Sequence, residues 1–450
     1  MSRSIDQALL EWKDNPRRKP LLVRGARQVG KSSTIRHLGK NFKYFLEVNV
    51  ERNPEVMEFF KGSRDVKSIA AKLSDFFNVP VVPGETLLFL DEIQKCEDVI
   101  HSLWFFKEDY PELHVIAAGS LLEFALKNLS SFGVGRVSSL FVYPMSFDEF
   151  LMAMGQEGLL RTKRNSSPAN PLPEAFYNRL VEAFRSYMLV GGMPEAVATY
   201  TETGSYRYSS DIVNEIIQGY QDDFAKYGAK ANPLFLRQTL ISVAHQAGAK
   251  FVYSRVEGQY RSAEVKVALE MLKDAGLIIP TYHTDANGVP LGAEINERVV
   301  KYLIHDTGVL LGILGIDDDI DERIKEMMVA DSIDLVDKGH VAEMMAGLEL
   351  IKYSSPQTRH QLYYWQNMNK GTCAEVDYVI ARSGSIVPIE VKSGVKGSMS
   401  SMYSLMRNPQ KHIEMGIRCS LENFGTFASP DGKKIDIIPL YAISNLFAEK

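Results

Sequence analysis

Residues 25 to 32 read Gly25-Ala26-Arg27-Gln28-Val29-Gly30-Lys31-Ser32, a full match to G-x-x-x-x-G-K-[ST], with the apolar run Leu21-Leu22-Val23 directly before it. The pattern predicts a strand, a tight glycine loop, and a helix continuing through Ser33 to Gly39. Such a loop lets the backbone wrap closely around phosphates, so that successive N–H groups and the helix N-terminus face negative charge. The cradle is then Gly25, Ala26, Arg27, Gln28, Val29, Gly30, Lys31, Ser32 and Ser33, with Lys31 reaching the β and γ phosphates and the Ser32 hydroxyl holding Mg2+. This narrows the N-terminal fold to an α/β domain around a parallel sheet.

Downstream, Leu87-Leu88-Phe89-Leu90-Asp91-Glu92 is an apolar run ending in two acids, the pattern of a buried parallel strand that delivers carboxylates at its carboxyl end. Ligands of open α/β sheets bind at that edge, so Asp91 can support the Mg2+ shell while Glu92 orients and polarises an attacking water. The strand-like His114 to Ala118 ends at Gly119-Ser120. There Ser120 can sense the γ-phosphate or simply cap the next helix. Arg136, after the glycine-rich Gly133-Val134-Gly135, can stabilise transition-state charge in a neighbouring subunit's site, or form a surface ion pair.

At 450 residues the chain is too long for one ordinary core. No apolar stretch approaches the roughly 20 residues needed to span a bilayer, and the N-terminus lacks a signal-peptide core, so a cytoplasmic location and no membrane partner are expected. Cys96, Cys373 and Cys419 lack metal-ligand spacing and read as reduced thiols. A net charge of −5 with a pI near 6.1 gives no global case for nucleic-acid binding, so any such contact must be a local patch.

The pattern predicts four domains. Residues 1–155 alternate strands, near Leu21, Phe45, Leu87, His114 and Leu140, with helices, as a P-loop domain should. Ser146, three residues before Glu149, carries a capping-box signature. Residues 156–233 read as a helical lid with the turn Gly191-Gly192-Met193-Pro194. Residues 234–315 place helices near Phe235–Gln246, Ser254–Tyr260 and Ser262–Ala275 before a hairpin around Asp285-Ala286-Asn287-Gly288, suggesting a winged helix-turn-helix. The charges of its last helix cancel, so protein contact or a structural role competes with DNA reading. The acidic run Asp317-Asp318-Asp319 with Asp321-Glu322 reads as a solvated linker.

Residues 316–450 hold a second chemical constellation. Glu375 to Ile380 and Val387 to Lys392 read as two strands, with Gln361 to Trp365 as a preceding one. Side chains two apart share a strand face, so Glu390 and Lys392 point together, and Asp377 can lie beside them. Two carboxylates there can hold Mg2+ and a lysine can position the water that attacks a phosphodiester. This D…E-x-K arrangement belongs to a large nuclease fold, though an exposed strand face with ion pairs or an inactive nuclease-like fold shows the same residues. Glu343, on the amphipathic helix His340 to Leu350, can reach the site from behind the sheet.

Taken together, the loop from Gly25 to Ser32, Leu90-Asp91-Glu92-Ile93-Gln94, Ala118-Gly119-Ser120, Gly135-Arg136-Val137, Gly191-Gly192-Met193-Pro194-Glu195 and Ile389-Glu390-Val391-Lys392-Ser393 resemble a prokaryotic family of AAA-type ATPases with a C-terminal domain of unknown function that has a PD-(D/E)XK nuclease-like core. The resemblance implies ATP and Mg2+ as ligands, with Lys31, Ser32, Asp91 and Glu92 in their usual roles; Ser120 stands where many members of the wider superfamily carry Asn. The leading expectation is an ATPase whose nucleotide state drives the C-terminal domains. The alternatives are an ATP-regulated Mg2+-dependent nuclease acting on DNA or RNA through Asp377, Glu390 and Lys392, and a non-catalytic ATP switch that binds a protein partner. Homo-oligomerisation fits an arginine finger at Arg136.

Overall fold

The computed structural model describes residues 3–128, 135–227, 232–315, 338–367, 374–394 and 397–447. The acidic run from Asp317, the positions Gly133 and Val134, and Cys373 lie outside these residues. The chain folds as two compact units. One comprises Met1–Tyr143 with the short pieces Asp274–Leu277 and Ser355–Arg359; the other comprises Pro144–Lys273, Ile278–Ser354 and His360–Lys450.

The first unit is built on five strands, β1 (Leu21–Arg24), β2 (Tyr44–Asn49), β3 (Thr86–Asp91), β4 (His114–Ala118) and β5 (Ser138–Phe141), in the order β2-β3-β4-β1-β5. Every pairing is parallel. β3 and β4 are buried along their whole length, because a parallel sheet is covered on both faces by its crossover helices. The helix Val66–Phe77 shows how the sequence sets such a cover. Val66, Ile69, Ala70 and Leu73 form its buried stripe, Asp65 caps its start by accepting from the Ser68 N–H, and Asn78 ends it in the left-handed conformation. Because the strands run in one direction, their carboxyl ends share one edge. That edge carries the loop after β1, Asp91 at the end of β3 with Glu92 following it, and Gly119-Ser120 after β4.

The second unit opens with helices, the first of which, Phe147–Ala153, has its capping box formed: Glu149 Oε2 accepts from the Ser146 N–H at 2.7 Å and Ser146 Oγ from the Glu149 N–H at 3.4 Å. Helices Glu157–Arg164, Glu174–Val190, Pro194–Thr203 and Tyr206–Asp223 follow. The glycine pair between two of them is a close-packing device. The Gly192 N–H donates to Asp306 at 2.6 Å, and a Cβ on Gly192 would lie 2.2 Å from the Met145 carbonyl oxygen.

Next come the helix Pro233–His245, a single 3-10 turn Tyr253–Arg255 where a longer helix was expected, and the helix Ser262–Asp274. The hairpin β6 (Ile278–Thr284) and β7 (Ile295–Ile304) follows. It does not stand apart from the C-terminal segment. β8 (Leu362–Gln366) pairs in parallel with β6, and β9 (Glu375–Val376) pairs with β8, giving a four-stranded sheet β7-β6-β8-β9. The remaining strands, β10 (Tyr378–Arg382), β11 (Ser385–Val391), β12 (Met415–Ser420), β13 (Gly425–Ala428) and β14 (Lys434–Pro439), form a mixed sheet in the order β10-β11-β12-β14-β13. The stretch expected as one strand, Glu375 to Ile380, is therefore divided at Asp377 between two sheets. Among the described residues, no helix is long and apolar enough to cross a membrane.

Candidate functional site

The loop after β1 has the backbone that phosphate cradling needs. Gly25 and Gly30 have φ of 140° and 93°, and Gln28 also enters the left-handed region at 65°. At Gly25 there is no room for a side chain, since a Cβ would come 2.1 Å from the Val142 carbonyl oxygen. The helix Lys31–Gly39 begins directly after Gly30, so its free N–H groups open toward the loop. Lys31 is buried and donates to the loop's own carbonyls, Gly25 at 2.9 Å and Ala26 at 2.7 Å. Burial lowers the pKa of its ammonium to about 8, against the pull of Glu92 and Asp91.

Ser32 and Asp91 meet. The Ser32 hydroxyl donates to Asp91 Oδ2 at 3.2 Å, the Asn49 amide approaches the same oxygen at 3.4 Å, and Oδ1 accepts from the Glu92 N–H at 3.1 Å. Burial and then the neighbouring Glu92 carboxylate raise the pKa of Asp91, so the environment favours added positive charge. A hydroxyl and a carboxylate in contact, beside a phosphate loop, fit the donor set of Mg2+. Glu92 follows in the left-handed conformation at φ 54° and ψ 40°. Its Oε2 accepts from Ser120 Oγ at 3.1 Å and from Gln94 Nε2 at 2.5 Å. Arg136 pairs with Glu108 at 2.9 Å and lies over the Trp104 ring. Asn49 and Gln94 were not singled out as site residues from sequence; their positions at the carboxyl end of β2 and two residues beyond the acidic pair were the available signal.

In the second unit, Asp377 sits at the junction of β9 and β10, and its Oδ2 accepts from the Val391 N–H at 2.7 Å. That side-chain bond ties the break in the strand to the end of β11. Lys392 donates to Glu390 Oε1 at 2.7 Å, while Glu390 Oε2 is buried without a protein partner. Burial, reinforced by Asp377, pushes the Glu390 carboxyl up to about 7. Glu343 has a different partner. Its Oε1 accepts from Lys301 Nζ at 2.8 Å, and the same ammonium donates to Glu375 Oε1 at 2.5 Å and lies 4.9 Å from the centre of the Tyr364 ring. Glu343 thus closes on a lysine rather than joining Asp377 and Glu390. Among the described residues, no three His, Cys, Asp or Glu side chains converge on a common metal position. Lys301 was missed from sequence although it is the lone charge in the apolar stretch Val299-Val300-Lys301-Tyr302-Leu303-Ile304.

Three family models match separate stretches: an AAA domain over residues 17–151, a domain of unknown function (DUF8612) over 181–320, and another (DUF4143) over 338–443. No curated protein matches the chain. Among solved structures, a Walker-type ATPase of Pyrococcus abyssi overlaps with a TM-score of 0.44 at 17% identity, covering 70% of this chain and 95% of its own. The Aeropyrum pernix ORC1 protein, solved in complex with DNA, overlaps with a TM-score of 0.30 at 13% identity, covering 72% and 95%. Overlaps that loose say nothing about what this chain binds. The parallel sheet, the glycine loop between β1 and its helix, and the matched region agree, and residues 17–151 form a P-loop domain of the AAA type.

Proposed function

We propose that this chain is a cytoplasmic ATPase that binds ATP with Mg2+ at the loop from Gly25 to Ser33 and couples its hydrolysis to the C-terminal segments. The observation that carries this is the meeting of Ser32 and Asp91 at 3.2 Å on the sheet edge that also holds Lys31 and Glu92. Bound Mg2+ would neutralise charge on the β- and γ-phosphate oxygens, held by Ser32 and Asp91. Lys31 exchanges the carbonyls of Gly25 and Ala26 for phosphate oxygens, and the loop N–H groups take the remaining charge. Glu92 orients the attacking water and accepts its proton at the carboxylate. To act as a finger in a homo-oligomer, Arg136 must leave Glu108. Replacing Lys31 by Ala should abolish ATP turnover without changing thermal unfolding; undiminished turnover would refute the assignment. Nucleotide binding by the wild type without turnover, with a protein partner captured only in the ATP state, would instead identify a switch.

A second activity, Mg2+-dependent cleavage of DNA or RNA, is favoured by the buried, unpartnered Glu390 Oε2 beside Asp377. Asp377 and Glu390 set two carboxylates against the single ammonium of Lys392, an excess of negative charge that suits a divalent cation. Asp377 and Glu390 would hold it, and Lys392 would position the water. Failure to cleave single- and double-stranded substrates, with ATP and either Mg2+ or Mn2+, would reject this activity.

A further inference from the structure

Glu92 needs a fixed direction to act on a water, yet its backbone lies in a left-handed turn where a free side chain would sample several rotamers. Two elements hold it. The 3-10 turn Ile93–Lys95 carries Gln94, whose amide Nε2 donates to Glu92 Oε2 at 2.5 Å and also approaches Ser120 Oγ at 3.4 Å. The turn after β4 carries Ser120, whose hydroxyl donates to the same carboxylate oxygen at 3.1 Å, with its N–H at 3.5 Å. The bonds that reach Glu92 all fall on Oε2, which leaves Oε1 without a bond from either element. The amide cannot be turned over without setting its carbonyl against the carboxylate, so the network fixes which end of Gln94 faces Glu92.

Gln94 reaches this position through a gap kept open by Gly119. A Cβ on residue 119 would lie 2.1 Å from Gln94 Oε1, and that carbonyl oxygen is buried without a partner. Burying an unsatisfied carbonyl is unfavourable. A side chain that only filled space would turn its polar end to water instead. The cost is offset by what the other end of the amide does, a short bond to the Glu92 carboxyl oxygen.

We propose that Gln94 is a positioning residue for ATP hydrolysis, holding Glu92 Oε2 together with Ser120 so that Oε1 meets the attacking water, and that Gly119 is small to admit it. This rests on the assignment of Glu92 as the water-orienting group. The test uses the full chain and four variants, Glu92→Gln, Gln94→Met, Gln94→Glu and Glu92→Gln/Gln94→Met, each assayed for kcat, KM, affinity for a fluorescent ATP analogue and thermal midpoint. Glu92→Gln should lower kcat by about 100-fold or more, the range of a general base. Gln94→Met, which keeps the length but loses the donor, should lower kcat about tenfold, with KM and analogue affinity within about twofold. Gln94→Glu, which places an acceptor against the carboxylate, should lower kcat at least as far. The double variant should be no slower than Glu92→Gln alone, because a residue that acts only through Glu92 has nothing left to position.

Unchanged turnover in Glu92→Gln would overturn both the water-orienting role and this inference. A normal Glu92→Gln loss with unchanged kcat in both Gln94 variants would overturn the inference alone. So would additive losses in the double variant, or a kcat loss matched by lost nucleotide affinity, which marks a merely structural role. Should Gln94→Met fold poorly, the polar Gln94→Glu carries the same comparison.

Discussion

Replacing Lys301 by Met tests how the buried charges of the second unit are balanced. The lysine side chain is 1% exposed and the Glu343 side chain 7%, so removing the ammonium leaves Glu343 in a low-dielectric site with no cation against it. Breaking a buried pair from one side costs about 3–5 kcal/mol. Glu375, 32% exposed, can turn toward water, and Glu343 can take up a proton, since burial already pushes its carboxyl up to about 8. Both reliefs place the expected cost near the lower bound, about 3 kcal/mol at neutral pH. At about 2 °C per kcal/mol for a unit this large, scanning calorimetry of the full chain should show its transition about 6 °C lower. The pH dependence has a defined sign. Folding raises the Lys301 pKa, so its stabilisation is complete below about 10.5, its unfolded value, and is lost only as pH rises through the folded value. Folding also raises the Glu343 pKa, and more so in the variant, so the carboxyl costs stability above its unfolded pKa of about 4.5. The gap between wild type and variant should therefore stay nearly level from pH 5 to 8 and widen above pH 8, where the wild-type carboxyl ionises against Lys301 and the variant's does not, and Lys301→Met/Glu343→Gln should recover part of the loss. A variant melting within about 2 °C of wild type across that range would refute the balance described here.

Gly25→Ala should abolish binding of a fluorescent ATP analogue, because the residue needs φ of 140° and its Cβ would meet the Val142 carbonyl at 2.1 Å; wild-type affinity would show that the loop can shift. ATP affinity should be flat below pH 8 and fall above it, since the Lys31 pKa lies at about 8 and phosphate must recapture the proton. At pH 9.5 the loss should be about 30-fold, and a Kd unchanged between pH 7 and 9.5 would contradict a direct phosphate contact by Lys31. Glu390→Gln should weaken Mn2+ binding by at least about tenfold in calorimetric titration while leaving ATP turnover intact. Equal Mn2+ affinity in the two proteins would remove Glu390 from any cation site.

The P-loop domain was legible because its defining features are local. A cradle made from successive backbone N–H groups has to be contiguous, so Gly25 to Ser32 spells it out, and a buried parallel strand announces its functional end by changing from Leu90 to Asp91-Glu92. Strand order was less accessible. β1 pairs with β4 and β5, and nothing in the spacing of Leu21, His114 and Leu140 states which neighbour each takes. Gln94 was visible only as part of a motif, since its surroundings depend on Ser120 and Gly119, 26 and 25 positions away, arriving beside it from the end of another strand.

The second constellation was read as two strands and an E-x-K face, which is correct for Glu390 and Lys392 because strand periodicity fixes that pair. Periodicity fails at Asp377. A pattern of alternating side chains describes one continuous strand from Glu375 to Ile380, whereas β9 pairs with β8 and β10 with β11, so the chain changes sheets between them. An aspartate tolerates that break because its carboxylate can accept the Val391 N–H, replacing a backbone ladder bond with a side-chain one. Consequently β9 carries Glu375 toward Lys301 of β7 while Asp377 faces β11. Glu375 is thus paired with Lys301, while Asp377 is held by the β11 backbone and feels both Lys301 and Lys392. Glu343 and Glu375 share the Lys301 ammonium while Glu390 takes Lys392, a division that follows from tertiary pairing that no spacing rule within residues 375–392 contains.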